Sequence, residues 1–141
     1  MRPIHKIILH CTATPEGRNT TVEDIRRWHK EKGFNDIGYH YVVYLDGTVH
    51  DGRSVEIVGA HTKGYNTGSI GVVYVGGIDS KKFEPKDTRT SKQKKSMHTF
   101  IKGLMDKYKG ATLHGHNEFA AKACPSFKVQ SEYSDLIEMF K

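Results

Sequence analysis

Two histidines and a cysteine, His10, His116 and Cys124, carry side chains that can bind a transition metal. Three such ligands suit a catalytic zinc ion, because they leave the fourth tetrahedral position open for water. The ligands of a zinc finger come in two tight pairs, whereas His10 lies far from the other two residues in the sequence. The sequence therefore favours an open metal site that the whole fold assembles.

His10 lies in an apolar run over residues 7–11, which predicts a buried strand. Functional groups often occupy the carboxyl end of such a strand in α/β folds. Neighbouring side chains of a strand point to opposite faces, so Cys11 is expected to pack in the core if His10 faces a site. Taken alone, His10 also fits a buried histidine that binds no metal.

The segment over residues 113–125 concentrates reactive side chains. His116 and Cys124 are eight residues apart, and Lys122 stands two residues before the cysteine. This density predicts a functional loop. His114 and His116 would share one face of a continuing strand, so spacing alone leaves open which of them binds the metal.

Strand and helix patterns alternate along the chain, which predicts one α/β domain over residues 1–141. Strands are predicted over residues 4–11, 39–45, 48–51, 70–75 and 112–116. Helices are predicted behind a capping box at residues 20–23, over residues 91–108 and at the carboxyl terminus. Asp46-Gly47 predicts a hairpin, so we expect a central mixed β-sheet flanked by helices. Tyr39 begins a strand, where its phenol either reaches the end of the sheet or packs as an ordinary aromatic side chain.

The chain has a net charge of +6 and a pI near 9.3, which favours an anionic partner. Nucleic acid, wall polymers and membrane surfaces all satisfy this condition, but no DNA- or RNA-binding motif is present. No stretch approaches the roughly 18 apolar residues of a membrane span, and charges interrupt the amino terminus before a signal-peptide core. We therefore expect a monomer that is made in the cytoplasm without a signal peptide and does not insert into membranes.

Several motifs follow one another over nearly the whole chain. They are HCTAT at residues 10–14, IRRWHK at 25–30, IGYHY at 37–41, DGTV at 46–49, HTKGYN at 61–66, SIGV at 69–72 and KACPSF at 122–127. In these motifs the chain resembles the zinc-dependent N-acetylmuramoyl-L-alanine amidases of the peptidoglycan recognition protein superfamily, and especially the bacteriophage lysozyme-type amidases. Several motifs in one order are much more specific than any single motif.

The resemblance implies that His10, His116 and Cys124 bind one zinc ion (Zn2+) per chain in a surface cleft. It places His116 rather than His114 at the ligand position. It also implies a central mixed sheet flanked by helices, in agreement with the strand and helix patterns above.

The resemblance further implies catalytic roles for Tyr39 and Lys122 and groove positions for His61 and Asn66. The implied substrate is peptidoglycan or its muropeptide fragments, cut between N-acetylmuramic acid and L-alanine by zinc-activated water. Such an enzyme would act on the wall after release from the cell or on internalised fragments. Lys122 is expected to stabilise the oxyanion. Tyr39 is expected to donate a hydrogen bond or relay a proton, because a tyrosine with a pKa of ~10 is a poor base.

Three alternatives stay open at this point. Glu118 could replace Tyr39 as the base, or could hold the imidazole of His116. The chain could be a non-catalytic peptidoglycan-binding or regulatory module, although the presence of Cys124 favours an enzyme. A purely structural zinc would need a fourth ligand, for which Cys11 or His114 would be available.

Overall fold

Five strands form the central sheet of the computed structural model, which describes residues 1–141. In spatial order they are β4 (Val49–Asp51), β3 (Tyr41–Val43), β5 (Ser69–Tyr74), β1 (Lys6–Cys11) and β7 (Thr112–Gly115). β1 pairs in parallel with both β5 and β7, and β3 pairs in parallel with β5. The hairpin partner β4 is antiparallel to β3, so the predicted mixed sheet is confirmed.

The central strand β1 is buried on both faces. Ile7, Ile8 and Leu9 are fully buried, which accounts for the continuous apolar run in the sequence. One face of the sheet packs against α2 (Ser91–Lys107), α3 (Val129–Glu132) and α4 (Ser134–Met139), and the other packs against α1 (Val22–Glu31). The two hydrophobic clusters on these faces hold the sheet between helices, as the sequence predicted.

The structure differs from the predicted elements in several places. The capping box of α1 lies one residue later than expected: Thr21 and Asp24 cap each other, and Val22 enters the core as the first helical residue. The single predicted carboxyl-terminal helix is two short helices, because the buried Tyr133 interrupts it. β7 ends at Gly115, and a 3₁₀ turn (His116–Glu118) replaces its last predicted residue. β2 (Thr14–Pro15) and β6 (Gly77–Ile78) form a second, two-stranded sheet whose strands are too short to produce an alternating pattern.

None of the helices combines the length and the apolar composition that crossing a bilayer requires.

A buried arginine ties the carboxyl-terminal helices to the body of the fold. The side chain of Arg89 is only 3% exposed and pairs with Asp87 at 2.8 Å and Glu132 at 2.7 Å. Its guanidinium stacks on the ring of Phe127 at 3.7 Å and donates to the Tyr133 hydroxyl at 3.3 Å. These contacts satisfy the charge and anchor the segment that follows Cys124.

Replacing Arg89 with alanine is expected to destabilise the fold. The change leaves a half-buried carboxylate at Asp87 without its partner, so the free energy of unfolding should fall by about 3 kcal/mol, the lower end of the range for buried pairs because the carboxylates remain partly exposed. Urea denaturation measures this change. The exposed pair of Lys86 and Glu16 supplies the control, since Lys86→Ala should unfold like the parent chain. Equal stability of the Arg89 variant and this control would contradict the anchoring role.

Candidate metal and catalytic site

The three predicted metal ligands meet at one edge of the central sheet. His10 lies near the carboxyl end of β1, and His116 begins the 3₁₀ turn directly after β7. Because β1 and β7 are parallel neighbours, their carboxyl ends lie at the same edge. Cys124 reaches this edge from the loop that follows, and the ligand atoms of all three residues lie within 4.8 Å of one another. We refer to these three residues as the metal cluster.

The distance between Cys124 and His10 fits a shared zinc ion. The sulfur of Cys124 lies 3.7 Å from Nδ1 of His10. Ligand atoms around a tetrahedral zinc lie roughly 3.3–3.7 Å apart when the bonds have their usual lengths. Imidazole nitrogens and a cysteine sulfur are also donors that suit zinc better than magnesium or calcium. The side chains present therefore fit a zinc ion that keeps one coordination position open.

The two residues that could have supplied a fourth ligand lie outside this group. Cys11 is 4% exposed and packs in the main hydrophobic core, while its backbone N–H donates to the sulfur of Cys124 at 3.2 Å. The ring nitrogens of His114 bond to the carboxylate of Glu118 and to a threonine hydroxyl. The structure thus brings His116, not His114, to the cluster, and it contains no closed four-ligand site.

Glu118 does not hold the imidazole of His116, so that hypothesis is wrong. Its carboxylate accepts hydrogen bonds from the ring of His114 and from the backbone N–H of Gly115, each at 2.8 Å. The side chain of Gln130 donates to the same carboxylate. These partners lie outside the metal cluster, and no contact supports Glu118 as the base.

Burial keeps the histidines of the cluster in the form that binds metal. Desolvation lowers the pKa of His10 well below its usual value, and the neighbouring His61, His116 and Lys122 lower it further. Desolvation and the charge of Lys122 also lower the pKa of His116. Both imidazoles are therefore neutral near pH 7, with a lone pair available for a cation.

Several neighbouring groups shift the pKa of the Cys124 thiol in opposite directions. The side chain of Cys11 and burial raise the pKa of Cys124, whereas the Cys11 backbone N–H and the positive charge of Lys122 lower it. The first two effects are larger, so the pKa of Cys124 is raised in the metal-free protein. A coordinated zinc ion deprotonates a thiol outright, and the backbone N–H and Lys122 are placed to stabilise the resulting thiolate.

Tyr39 lies directly against the cluster. Its ring is 5.1 Å from the ring of His10 and 5.3 Å from that of His29, measured between centroids. β3 starts at Tyr41, so Tyr39 precedes the strand rather than beginning it. Burial and the thiols of Cys124 and Cys11 raise the pKa of Tyr39 above its usual value. The phenol therefore keeps its proton and can donate a hydrogen bond.

A cleft of about 630 Å³ opens beside the cluster. Lys122, His61 and Asn66 all line it together with His116, so the structure brings these predicted residues to one surface. The remaining lining residues are Phe34, Ala60, Thr62, Lys63, Phe119 and Ala120. Two lysines and several apolar side chains give a surface that can hold an anionic, partly apolar ligand.

His61 and Asn66 belong to one hydrogen-bonded loop in the wall of this cleft. The side-chain oxygen of Asn66 accepts the backbone N–H groups of His61 and Thr62 at 2.9 and 2.8 Å. Nδ1 of His61 lies 2.9 Å from Nε2 of His10, and the Thr62 hydroxyl lies 3.3 Å from the same nitrogen. Thr62 is not among the residues predicted for the site, although it stands directly beside His61 in the HTKGYN motif.

The chain is similar to known proteins in both sequence and fold. Residues 1–127 match the family model described as N-acetylmuramoyl-L-alanine amidase. The endolysin of Escherichia phage T7 is 49% identical over 125 residues, which cover 88% of this chain and 82% of that protein. The solved amidase LysCS from Clostridium intestinale superimposes with a TM-score of 0.80 at 28% identity, covering 96% of this chain and 84% of that one. Bumblebee PGRP-SA superimposes with a TM-score of 0.77 at 30% identity, covering 96% and 83% of the two chains.

The stability of the metal-free protein is expected to fall as the pH drops from 7 to 5. Burial lowers the pKa of His40 to about 4 and that of His61 to about 3, and it holds the pKa of His10 far below its usual value. These rings stay neutral in the fold, whereas the unfolded chain binds protons near pH ~6.5. The unfolded state therefore gains protons and stability as the pH falls, by about 2 kcal/mol at pH 5 for each fully buried histidine.

Urea unfolding in the presence of a chelator at pH 7, 6 and 5 measures this dependence. His40→Gln is the matched variant, because His40 is 1% exposed and lies outside the metal cluster. Its free energy of unfolding should vary less steeply with pH than that of the parent chain, because the variant has one buried histidine fewer. A parent chain whose free energy of unfolding does not change between pH 7 and 5 would contradict the neutral state of these rings.

Proposed function

Because the chain belongs to the N-acetylmuramoyl-L-alanine amidase family, we propose that its activity depends on a zinc ion held by His10, His116 and Cys124. The protein is an amidase that acts on peptidoglycan. The observation that carries the zinc proposal is the three-ligand cluster beside the cleft, with 3.7 Å between the Cys124 sulfur and Nδ1 of His10. A zinc ion bound there would activate a water molecule and polarise the carbonyl of the amide bond.

We assign the stabilisation of the oxyanion to Lys122. This residue lines the cleft beside His116, and its charge is close enough to lower the pKa of both His10 and His116. An ammonium group in this position can donate a hydrogen bond to the oxygen on which negative charge develops. Since Lys122 is not a metal ligand, its proposed role is on the substrate, and the zinc ion should stay bound when Lys122 is replaced.

Tyr39 is the proposed hydrogen-bond donor and proton relay. Its raised pKa excludes a phenolate at neutral pH, so it cannot take up a proton as a free base. Its position against the ring of His10 lets a protonated phenol orient the carbonyl or assist the departing amine. His61 and Asn66 complete the proposed site as the wall that contacts the substrate.

The proposed substrate bond joins N-acetylmuramic acid to the first L-alanine of the stem peptide. Lys63 and Lys122 line the cleft, and the net charge of the chain is +6, which suits the anionic stem peptides and wall polymers. We propose that residues 1–141 form a single amidase domain that acts on the bacterial cell wall as a monomer with one zinc ion.

Digestion of purified peptidoglycan, followed by mass spectrometry, tests the proposed bond and the metal together. The zinc-loaded protein should release stem peptides with a free amino-terminal L-alanine. A chelator should abolish this release, and added zinc should restore it, because the residues present form a three-ligand site. New reducing sugar ends would identify a glycosidase instead and would overturn the proposal.

Two substitutions are expected to separate the metal ligand from the catalytic residue. Cys124→Ser should lose zinc and activity together, since a hydroxyl is a poor zinc ligand. Lys122→Ala should retain zinc but lower kcat by roughly 10²–10³-fold, the usual cost of removing an oxyanion donor. Zinc content by atomic absorption and the rate of stem-peptide release measure both effects. Lys102→Ala, on the exposed side of α2, is the control and should match the parent chain. Full activity in either site variant would contradict its assigned role.

A further inference from the structure

The ring of His61 makes hydrogen-bond contacts through both of its nitrogens. Its Nδ1 lies 2.9 Å from Nε2 of His10, and its Nε2 lies 3.3 Å from the hydroxyl of Ser69. The two rings are nearly perpendicular, with centroids 4.9 Å apart. His61 therefore connects a metal ligand on β1 to the first residue of the neighbouring strand β5.

The direction of these hydrogen bonds follows from a backbone carbonyl. The hydroxyl of Ser69 donates to the carbonyl oxygen of Asn66 at 3.0 Å. A carbonyl can only accept, and a serine has a single hydroxyl proton, so the Ser69 oxygen must accept from the Nε2–H of His61. Nδ1 of His61 then carries no proton and accepts from the Nε2–H of His10.

This direction leaves Nδ1 of His10 with its lone pair. The same Nδ1 faces the sulfur of Cys124 at 3.7 Å. The hydroxyl of Thr62 lies 3.3 Å from Nε2 of His10, where it can accept from the same Nε2–H, and 2.9 Å from Nδ1 of His61. Thr62 is therefore compatible with this arrangement of protons.

Two glycines give the His61 ring the space for these contacts. A Cβ atom on Gly71 would lie 2.7 Å from the His61 ring, and one on Gly59 would lie 2.8 Å from it. Ser69 and Gly71 are two residues apart on β5 and share a face of that strand. The ring thus lies flat against β5, within reach of both Ser69 and His10.

We propose that Ser69 and His61 are positioning residues that fix the tautomer of His10, so that Nδ1 is the nitrogen offered to the metal. The inference rests on the proposed role of His10 as a zinc ligand. Partners of this kind hold a ligand's ring and proton in place, and their loss typically lowers metal affinity about 10–100-fold.

A matched pair of variants at His61 tests the proposal. Leucine and asparagine have similar shapes, but only asparagine offers an oxygen near the position of Nδ1 to accept the proton of His10. His61→Leu should weaken zinc binding about 10–100-fold, whereas His61→Asn should keep an affinity close to that of the parent chain. Competition with a chromophoric chelator measures the dissociation constant for zinc without reference to activity. Equal zinc affinity of the leucine variant and the parent chain would overturn the proposal.

Nitrogen NMR of histidine-labelled, metal-free protein reads the tautomers directly. In the parent chain, His10 and His61 should each carry the proton on Nε2. In His61→Leu, His10 should populate both tautomers, because the remaining partner of its Nε2, the Thr62 hydroxyl at 3.3 Å, can either accept from this nitrogen or donate to it. Ser69→Ala supplies an independent arm if the leucine variant does not fold, and it should release the tautomer of His61. A proton on Nδ1 of His10 in the parent chain would overturn the proposal.

The failure of this inference can be told apart from failure of the proposed function. If the zinc-loaded parent chain releases no stem peptides from peptidoglycan, the proposed function fails whatever the variants bind. If the parent chain is active and the leucine variant binds zinc as tightly, only the positioning role fails. Far-UV circular dichroism of the metal-free variants checks that each retains the fold.

Discussion

The parallel pairing of β1 with β5 and β7 is the constraint on which the site depends. Leu9 is opposite Gly115 in this register, so His10 and His116 each follow directly on one of two paired residues in neighbouring strands. Both side chains therefore emerge at the same edge of the sheet without any long loop to bring them together. β5 supports the other side of β1 and carries Ser69 against the ring of His61. A shift of β1 by one residue would turn His10 to the opposite face and disperse the cluster.

Burial of the site lowers the stability of the fold in acid but also favours metal binding. Several histidines are held neutral by desolvation, which favours metal binding near pH 7 and costs stability in acid. Hydrogen bonds compensate the buried ring nitrogens: His40, for example, accepts the Gly71 N–H at 3.0 Å and contacts the Ile57 carbonyl at 2.8 Å. Lys122 is exposed and belongs to the cleft, where a charged ammonium is readily solvated and can meet a substrate.

The loop that carries His61 belongs to the wall of the cleft and also contacts the metal cluster. His61 lines the cleft, and its Nδ1 also lies 2.9 Å from Nε2 of His10. Asn66 fixes the backbone of the same loop through two hydrogen bonds. A ligand bound against this wall would therefore contact a loop that itself touches His10. Arg89 and Phe127 anchor the segment that follows Cys124.

The sequence by itself determined the strand and helix pattern, the mixed sheet and the family, because apolar periodicity and ordered motifs are local properties of the chain. Those motifs also supplied His10, His116 and Cys124, whereas spacing alone could not choose between His114 and His116. Only the tertiary structure decided that Glu118 bonds to His114 and that Cys11 lies in the core while its N–H reaches Cys124. It alone revealed the contacts of Thr62 and Ser69 with the histidines, and the interruption of the last helix at Tyr133. Such features depend on side chains that are distant in sequence and meet only when the sheet closes, so no local pattern encodes them.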